Sequence, residues 1–127
     1  MKDFKKYYIV AATPEDIYKA LTTEITIRLW TGDIAEIDPK EDGEFSMWDG
    51  AITGKFIALE PYGKIVQQWY FGEQEEPSVV TIKLHDHKKG TSVEVQHSNI
   101  PDEAFVDIVE GWNDTYMASL IEFYEEE

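Results

Sequence analysis

No cysteine occurs among the 127 residues, so the chain has neither disulfide staples nor a thiolate nucleophile. That suits a reducing compartment. Positive charge is scarce too: 11 Lys and Arg stand against 26 Asp and Glu, a net charge of −15. Such a surface repels phosphate backbones and anionic lipid, which argues against nucleic acid as a partner. Long apolar runs are missing. Tyr7 to Ala12 is too short for a signal peptide, and nothing approaches the roughly 20 apolar residues of a membrane span. These absences point to a cytoplasmic protein with no membrane insertion, and mutual charge repulsion points to a monomer.

Catalytic signatures are lacking as well. There is no HExxH spacing, no G-x-S-x-G elbow around any serine and no glycine-rich phosphate loop. Of the three histidines, His85 and His87 share a strand face only if a strand runs through Asp86. Asp86 to Gly90 reads instead as the turn of a surface hairpin. The expectation is no metal, no cofactor and no catalytic residue.

Aromatic residues are plentiful, with four Trp, seven Tyr and six Phe. Many fall in the last stretch, Pro101 to Glu127, around which the rest of the chain is organised. There Phe105, Ile108, Val109, Trp112, Tyr116, Leu120, Phe123 and Tyr124 recur in steps of three and four, the spacing of one helix face. Asp107, Glu110, Asp114 and Glu122 fall mainly on the opposite face. Pro101, Asp102 and Glu103 suit a helix start, and a helix of about six turns needs a sheet to lie on.

Upstream, Phe4–Ala12 reads as a strand, with Tyr8 and Val10 on one face and Tyr7 and Ile9 on the other. Thr13 then caps a helix with Pro14 at its first position and Ile17, Tyr18 and Leu21 on its buried side. A second short helix is expected over Thr23–Leu29, ended by Trp30-Thr31-Gly32. From Asp33 the punctuation is that of a β-meander, with turns at Asp42-Gly43, Asp49-Gly50, Tyr62-Gly63 and Lys89-Gly90. The strands between them are Ile34–Ile37, Glu44–Trp48, Ala51–Leu59, Lys64–Phe71, Ser78–His85 and Thr91–His97, with a polar loop at Glu73–Pro77. Val80, Ile82, Leu84, Val93 and Val95 alternate with polar residues, which gives the sheet one apolar and one wet face. Gly54 inside a strand signals a bulge or bend. The order is one strand, two helices, six strands and a long helix. Period and order give an α+β fold with an antiparallel sheet.

Gly43-Glu44-Phe45-Ser46-Met47-Trp48-Asp49-Gly50, Gly54-Lys55-Phe56, Leu59-Glu60-Pro61, Ile65 to Phe71, Ile100-Pro101 and Gly111-Trp112 resemble the activator of heat-shock protein 90 ATPase family. The likeness is to its C-terminal, START-like domain, within the Bet v 1-like superfamily. It runs from about Thr13 to the end and is strongest over Gly43–Phe56. It implies a helix-grip fold: a curved antiparallel sheet wrapped around the C-terminal helix, with a hydrophobic cavity between them and two short helices after the first strand. In eukaryotic members such a domain accompanies an N-terminal domain that supplies the main chaperone contact. Here residues 1–127 are expected to be one domain of the C-terminal type. Stand-alone relatives are regarded mostly as binders of small apolar or lipid-like molecules, and other branches include polyketide cyclases.

Within that frame the candidate ligand site is apolar. Phe45, Met47, Ile52, Phe56, Trp69, Phe71 and Val95 from the sheet converge with Trp112, Tyr116 and Leu120 from the helix, and Trp30 closes the mouth. His97 shares the face of Val93 and Val95, as a hydrogen-bonded structural group or as one that polarises a ligand carbonyl. One of Gln67 and Gln68 points inward as a polar anchor, and the Tyr116 hydroxyl is another. The rings either interdigitate fully or leave a hollow; Gly111 and Ser119, small residues on the helix, favour the hollow. Three functions follow: a non-enzymatic binder of a small apolar or lipid-like molecule, a module that binds a chaperone protein through its acidic surface, or a cyclase-like enzyme using His97 or a tyrosine as acid.

Overall fold

Hydrophobic alternation settles which way each strand faces, and the resulting sheet lays the first and last strands side by side. The computed structural model describes residues 1–72, 74 and 76–125. Glu73 and Glu75 of the expected polar loop, and Glu126 and Glu127 at the end of the expected helix, lie outside the described residues. Among the described residues the strands form one seven-stranded antiparallel sheet: β1 (Lys2–Val10), β2 (Glu36–Ile37), β3 (Glu44–Met47), β4 (Ile52–Glu60), β5 (Lys64–Trp69), β6 (Ser78–His87) and β7 (Gly90–Ile100). Their spatial order is β1-β7-β6-β5-β4-β3-β2. Strands β2 to β7 are thus a meander, and β1 closes it by pairing with the last strand. Helices α1 (Pro14–Thr22) and α2 (Glu24–Thr31) carry the chain from the β1 edge to the β2 edge. The sheet curves around the C-terminal helix, the helix-grip arrangement.

Local chemistry accounts for the helix ends. The Thr13 hydroxyl accepts from the Asp16 amide at 3.1 Å, and Pro14 occupies the first turn, where its missing N–H costs nothing. Helix α2 ends at Thr31, two residues later than expected, and Gly32, with its left-handed backbone (φ 70°), stops it. Ile17, Ala20, Leu21, Ile27 and Trp30 from the two helices are buried against Val10, Ile82, Val93 and Leu120 in a single core.

Several expected details change. Strand β6 continues through His87, which pairs with Gly90, so the turn is only Lys88-Lys89 and His85 and His87 do share a face. A two-residue hairpin loop suffices to reverse an antiparallel pair, and the ladder takes the rest. Gly54 is not the bulge. The register slips between Phe56 and Ala58, while a Cβ at Gly54 would lie 2.0 Å from the Gln68 carbonyl oxygen and 2.9 Å from the Phe45 ring. Glycine is there for close approach. The first strand of the meander shrinks to Glu36–Ile37.

The terminal helix departs most from a regular rod. A 3₁₀ turn (Asp102–Ala104) leads into α3 (Phe105–Gly111), a π turn spans Trp112–Tyr116, and α4 covers Met117–Glu125. In the π turn the Met117 amide bonds the Trp112 carbonyl, five residues back. One extra residue sets everything after it back by about 100°. That rotation turns Met117 inward beside Leu120, although helical periodicity left Met117 off the apolar face.

Candidate functional site

Two buried polar groups on the sheet decide how the central rings are held. His97 projects from β7 among the apolar side chains and is 1% exposed. The Trp112 indole N–H donates to its Nδ1 at 3.0 Å. An indole nitrogen only donates, so Nδ1 is bare and the imidazole proton is on Nε2. That proton goes to Ser78 Oγ at 2.8 Å, and the Ser78 hydroxyl donates in turn to the Ser98 carbonyl at 3.1 Å. Burial pushes the His97 pKa down to about 4, so the ring is neutral at pH 7 with both nitrogens engaged. Gln67, the inward member of its pair, accepts from the Trp69 indole N–H at 2.9 Å. Both rings therefore turn their donor edges into the core.

With those edges fixed, the rings stack. Trp69 and Trp112 lie 5.0 Å apart at 20°, and Trp112 meets Tyr116 at 4.5 Å. Trp30 and Trp48 reach Tyr116 from the other side, at 5.3 and 5.6 Å. All four tryptophans thus surround one tyrosine, arrangements that contribute beyond plain area burial. Trp30 is locked by its own N–H to the Ala20 carbonyl at 2.8 Å. Tyr116 is 3% exposed, and among the described residues nothing hydrogen-bonds its hydroxyl; burial raises its pKa well above the usual phenol range.

Beside this cluster a cleft of about 340 Å³ opens between helix and sheet. Trp69 forms part of its wall, with Trp48 and Ala51 from the β3–β4 connection and Ile52 at the start of β4 on one side. Ile108, Gly111, Trp112, Thr115 and Tyr116 from the helix line the other side, and exposed Asp107 completes the lining. Of the residues singled out in the sequence, Ile52, Trp69, Trp112 and Tyr116 line this cleft. Trp30 stands behind Tyr116 rather than at a mouth. Phe45, Met47, Phe56, Val95 and Leu120 are buried in the core and do not line it. His97 sits behind Trp69 and Trp112, and half-buried Phe71 packs near the His97 ring at 6.1 Å.

Sequence reasoning missed Trp48, Ala51, Asp107, Ile108 and Thr115 as cleft residues, though Ile108 was placed on the apolar helix face. Period two puts Trp48 on the wet side of β3, opposite Phe45 and Met47. Three consecutive left-handed residues, Trp48 (φ 52°), Asp49 (φ 54°) and Gly50 (φ 91°), swing its ring back over the helix. Asp49-Gly50 signals the turn, but not that the bulky residue before it joins the left-handed run, an uncommon and strained choice. Thr115 shares the helix face of Ile108, Gly111 and Trp112 and is polar, so an apolar pattern passes over it.

The convex face holds one further surprise. Glu94, expected on the wet side, is 5% exposed under a layer of neighbouring side chains. His85 Nε2 lies 2.8 Å from it, Gln96 donates to it and Lys5 is 3.7 Å away; the His85 hydrogen bond, ahead of the others, holds its carboxyl below the ordinary range. Among the described residues no three His, Cys, Asp or Glu side chains come together as a metal cluster. Nor is any helix among them long and apolar enough to cross a membrane.

Comparison with known proteins agrees with this architecture. Residues 11–125 match the family described as Activator of Hsp90 ATPase homolog 1-like protein. The activator of 90 kDa heat shock protein ATPase homolog 1 of Homo sapiens is 28% identical over 110 residues, covering 85% of this chain and 32% of that protein. The chain therefore spans about a third of the length of that curated relative. Among solved structures, an HSP90 activator from Plasmodium falciparum superposes with a TM-score of 0.83 at 27% identity, covering 91% of each chain. The Aha1 dimer from Colwellia psychrerythraea has the same fold, with a TM-score of 0.82 at 21% identity over 98% of this chain and 97% of that one. With its strand order, its gripped helix and the match along nearly its whole length, the chain belongs to the Activator of Hsp90 ATPase homolog 1-like family.

Proposed function

We propose that this protein is a non-enzymatic binding module that takes a small apolar molecule, or the apolar part of a larger one, into the cleft beside Trp69, Trp112 and Tyr116. The observation that carries the reading is Gly111. Glycine inside a helix costs about 1 kcal/mol relative to alanine. Gly111 has ordinary helical angles, and a Cβ built there would meet nothing within 4 Å. Neither backbone conformation nor packing asks for a glycine; keeping the cleft open does. Burying about 300 Å² of apolar ligand surface would contribute about 7 kcal/mol, a micromolar scale that association costs then weaken. The test is a titration with tert-butylbenzene followed through the indole N–H signals of Trp69 and Trp112, on the native chain and on Gly111→Met. The expected result is saturable shifts that the methionine variant loses while its other amide signals stay in place. Unmoved indoles in the native chain overturn the proposal.

Family membership supports a second reading, a chaperone partner of the heat-shock protein 90 type. The names of the Homo sapiens and Plasmodium falciparum relatives carry that activity for those proteins. A net charge of −15 suits a partner that presents a basic patch. The expected outcome is stimulation of that chaperone's ATPase that weakens as salt is raised; a flat response at low salt removes the reading. A cyclase-like role finds less support, because His97, its candidate acid, has both nitrogens engaged within the core.

A further inference from the structure

The lining of the cleft is selective in charge as well as in shape. From the way it is built we infer that it prefers an organic cation, a trimethylammonium or protonated amine carried on an apolar body, over a neutral or anionic molecule of the same size. This deepens the binding reading above and rests on it.

Ring faces attract cations, because the π-system is negative over its face and positive at its edge, and cages of Trp and Tyr hold quaternary ammonium groups by this means. The cleft draws on Trp48, Trp69, Trp112 and Tyr116. The polar edges of two of these rings are withdrawn: Trp69 and Trp112 point their N–H groups at Gln67 and His97, in the core. What the remaining polar lining offers is the reverse of an anion site. The hydroxyl of buried Tyr116, for which no hydrogen-bond partner is found among the described residues, and the Thr115 hydroxyl accept as readily as they donate. The Asp107 carboxylate only accepts. No Lys, Arg or His lines the cleft, so even with the Trp48 indole as a donor its wall holds no positive charge. Beyond the cleft, the net charge of −15 concentrates cations at the surface and depletes anions. A fatty-acid carboxylate would bring a second negative charge close to exposed Asp107. A quaternary ammonium would meet a mainly aromatic and apolar lining, with that carboxylate near by.

Three probes separate the possibilities: phenyltrimethylammonium, its neutral isostere tert-butylbenzene, and the slightly smaller, planar anion benzoate. Each is titrated into the intact chain at 0.15 M salt, with the indole N–H signals of Trp69 and Trp112 as readout. The ammonium is expected to bind about tenfold tighter than tert-butylbenzene, and benzoate to shift nothing. Asp107→Asn, an exposed and structurally mild change, is expected to shrink that preference several-fold, by weakening the ammonium more than tert-butylbenzene. Gly111→Met is expected to abolish the ammonium shifts. Equal binding of the cation and its neutral isostere overturns the charge preference and leaves the cleft as an apolar site. Tighter benzoate binding overturns it too. Ammonium shifts that persist in Gly111→Met mean that the cation sits only on the acidic surface, which also overturns it. If no probe moves either indole, the preference and the binding reading both fall.

Discussion

The two ends of the terminal helix do different work although one apolar pattern runs through both. In α4, Met117 and Leu120 are 1% and 0% exposed and lock the helix into the core shared with α1 and α2. In α3 no residue is fully buried, and Ile108 and Gly111 overhang the cleft instead. The π turn between them is the joint. It places Trp112 and Tyr116 inside, rotates Met117 inward and leaves the α3 end standing off the sheet. One end of the helix holds the fold, and the other forms a wall. Single π turns inside α-helices are frequent at functional sites.

Substitutions can break that contrast. The largest effect is expected at the packed end: Leu120→Ala should destabilise the protein by about 3 to 4 kcal/mol, measured by denaturant unfolding, since it removes a fully buried side chain and leaves a cavity. Acid comes next, through His97. Its folded pKa, about 4, lies below the unfolded value of about 6.5, so the unfolded chain takes up a proton that the native chain refuses. Stability contributed by the neutral ring is complete above pH 6.5 and falls as pH drops towards 4, by about 3 kcal/mol in total. Comparing native protein with His97→Gln isolates this part from the carboxylates, and equal pH slopes would contradict it. At the open end the effects should be small. Gly111→Ala should raise stability by up to about 1 kcal/mol, because it removes backbone freedom from the unfolded chain and meets no neighbour. Ile108→Ala, half-buried, should cost under about 1 kcal/mol yet weaken binding of tert-butylbenzene. Should Ile108→Ala prove as damaging as Leu120→Ala, the distinction between the two ends fails.

Much of the architecture could be read beforehand, and for local reasons. Alternation placed Val80, Ile82, Leu84, Val93, Val95 and His97 on the inner face and put Tyr8 with Val10 on one side of β1; all of them lie buried. Thr13-Pro14 opened α1, and the Asp-Gly and Lys-Gly pairs fell at the reversals of the meander. The candidate site was legible only in part. Trp69, Trp112, Tyr116 and Ile52 were found because apolar faces converge, but the same logic drew in Phe45, Phe56, Val95 and Leu120, which fill the core. Periodicity reports which side chains turn inward and is silent on whether the space they turn into is full. Trp48 escaped because a left-handed backbone overrode its strand phase, and Thr115 because it is polar, although helical spacing puts it on the face of Ile108, Gly111 and Trp112.

The amino-acid pattern by itself determined the sheet's inner face, the helix that lies on it and the acidic surface, because each depends on residues a few positions apart. The tertiary structure alone decided the rest. It set which end of the helix stands off the sheet, which His97 nitrogen carries the proton, and where the cleft opens. Those outcomes depend on groups far apart in the chain, such as Trp112 with His97 and Trp48 with Tyr116, whose distances no local pattern specifies.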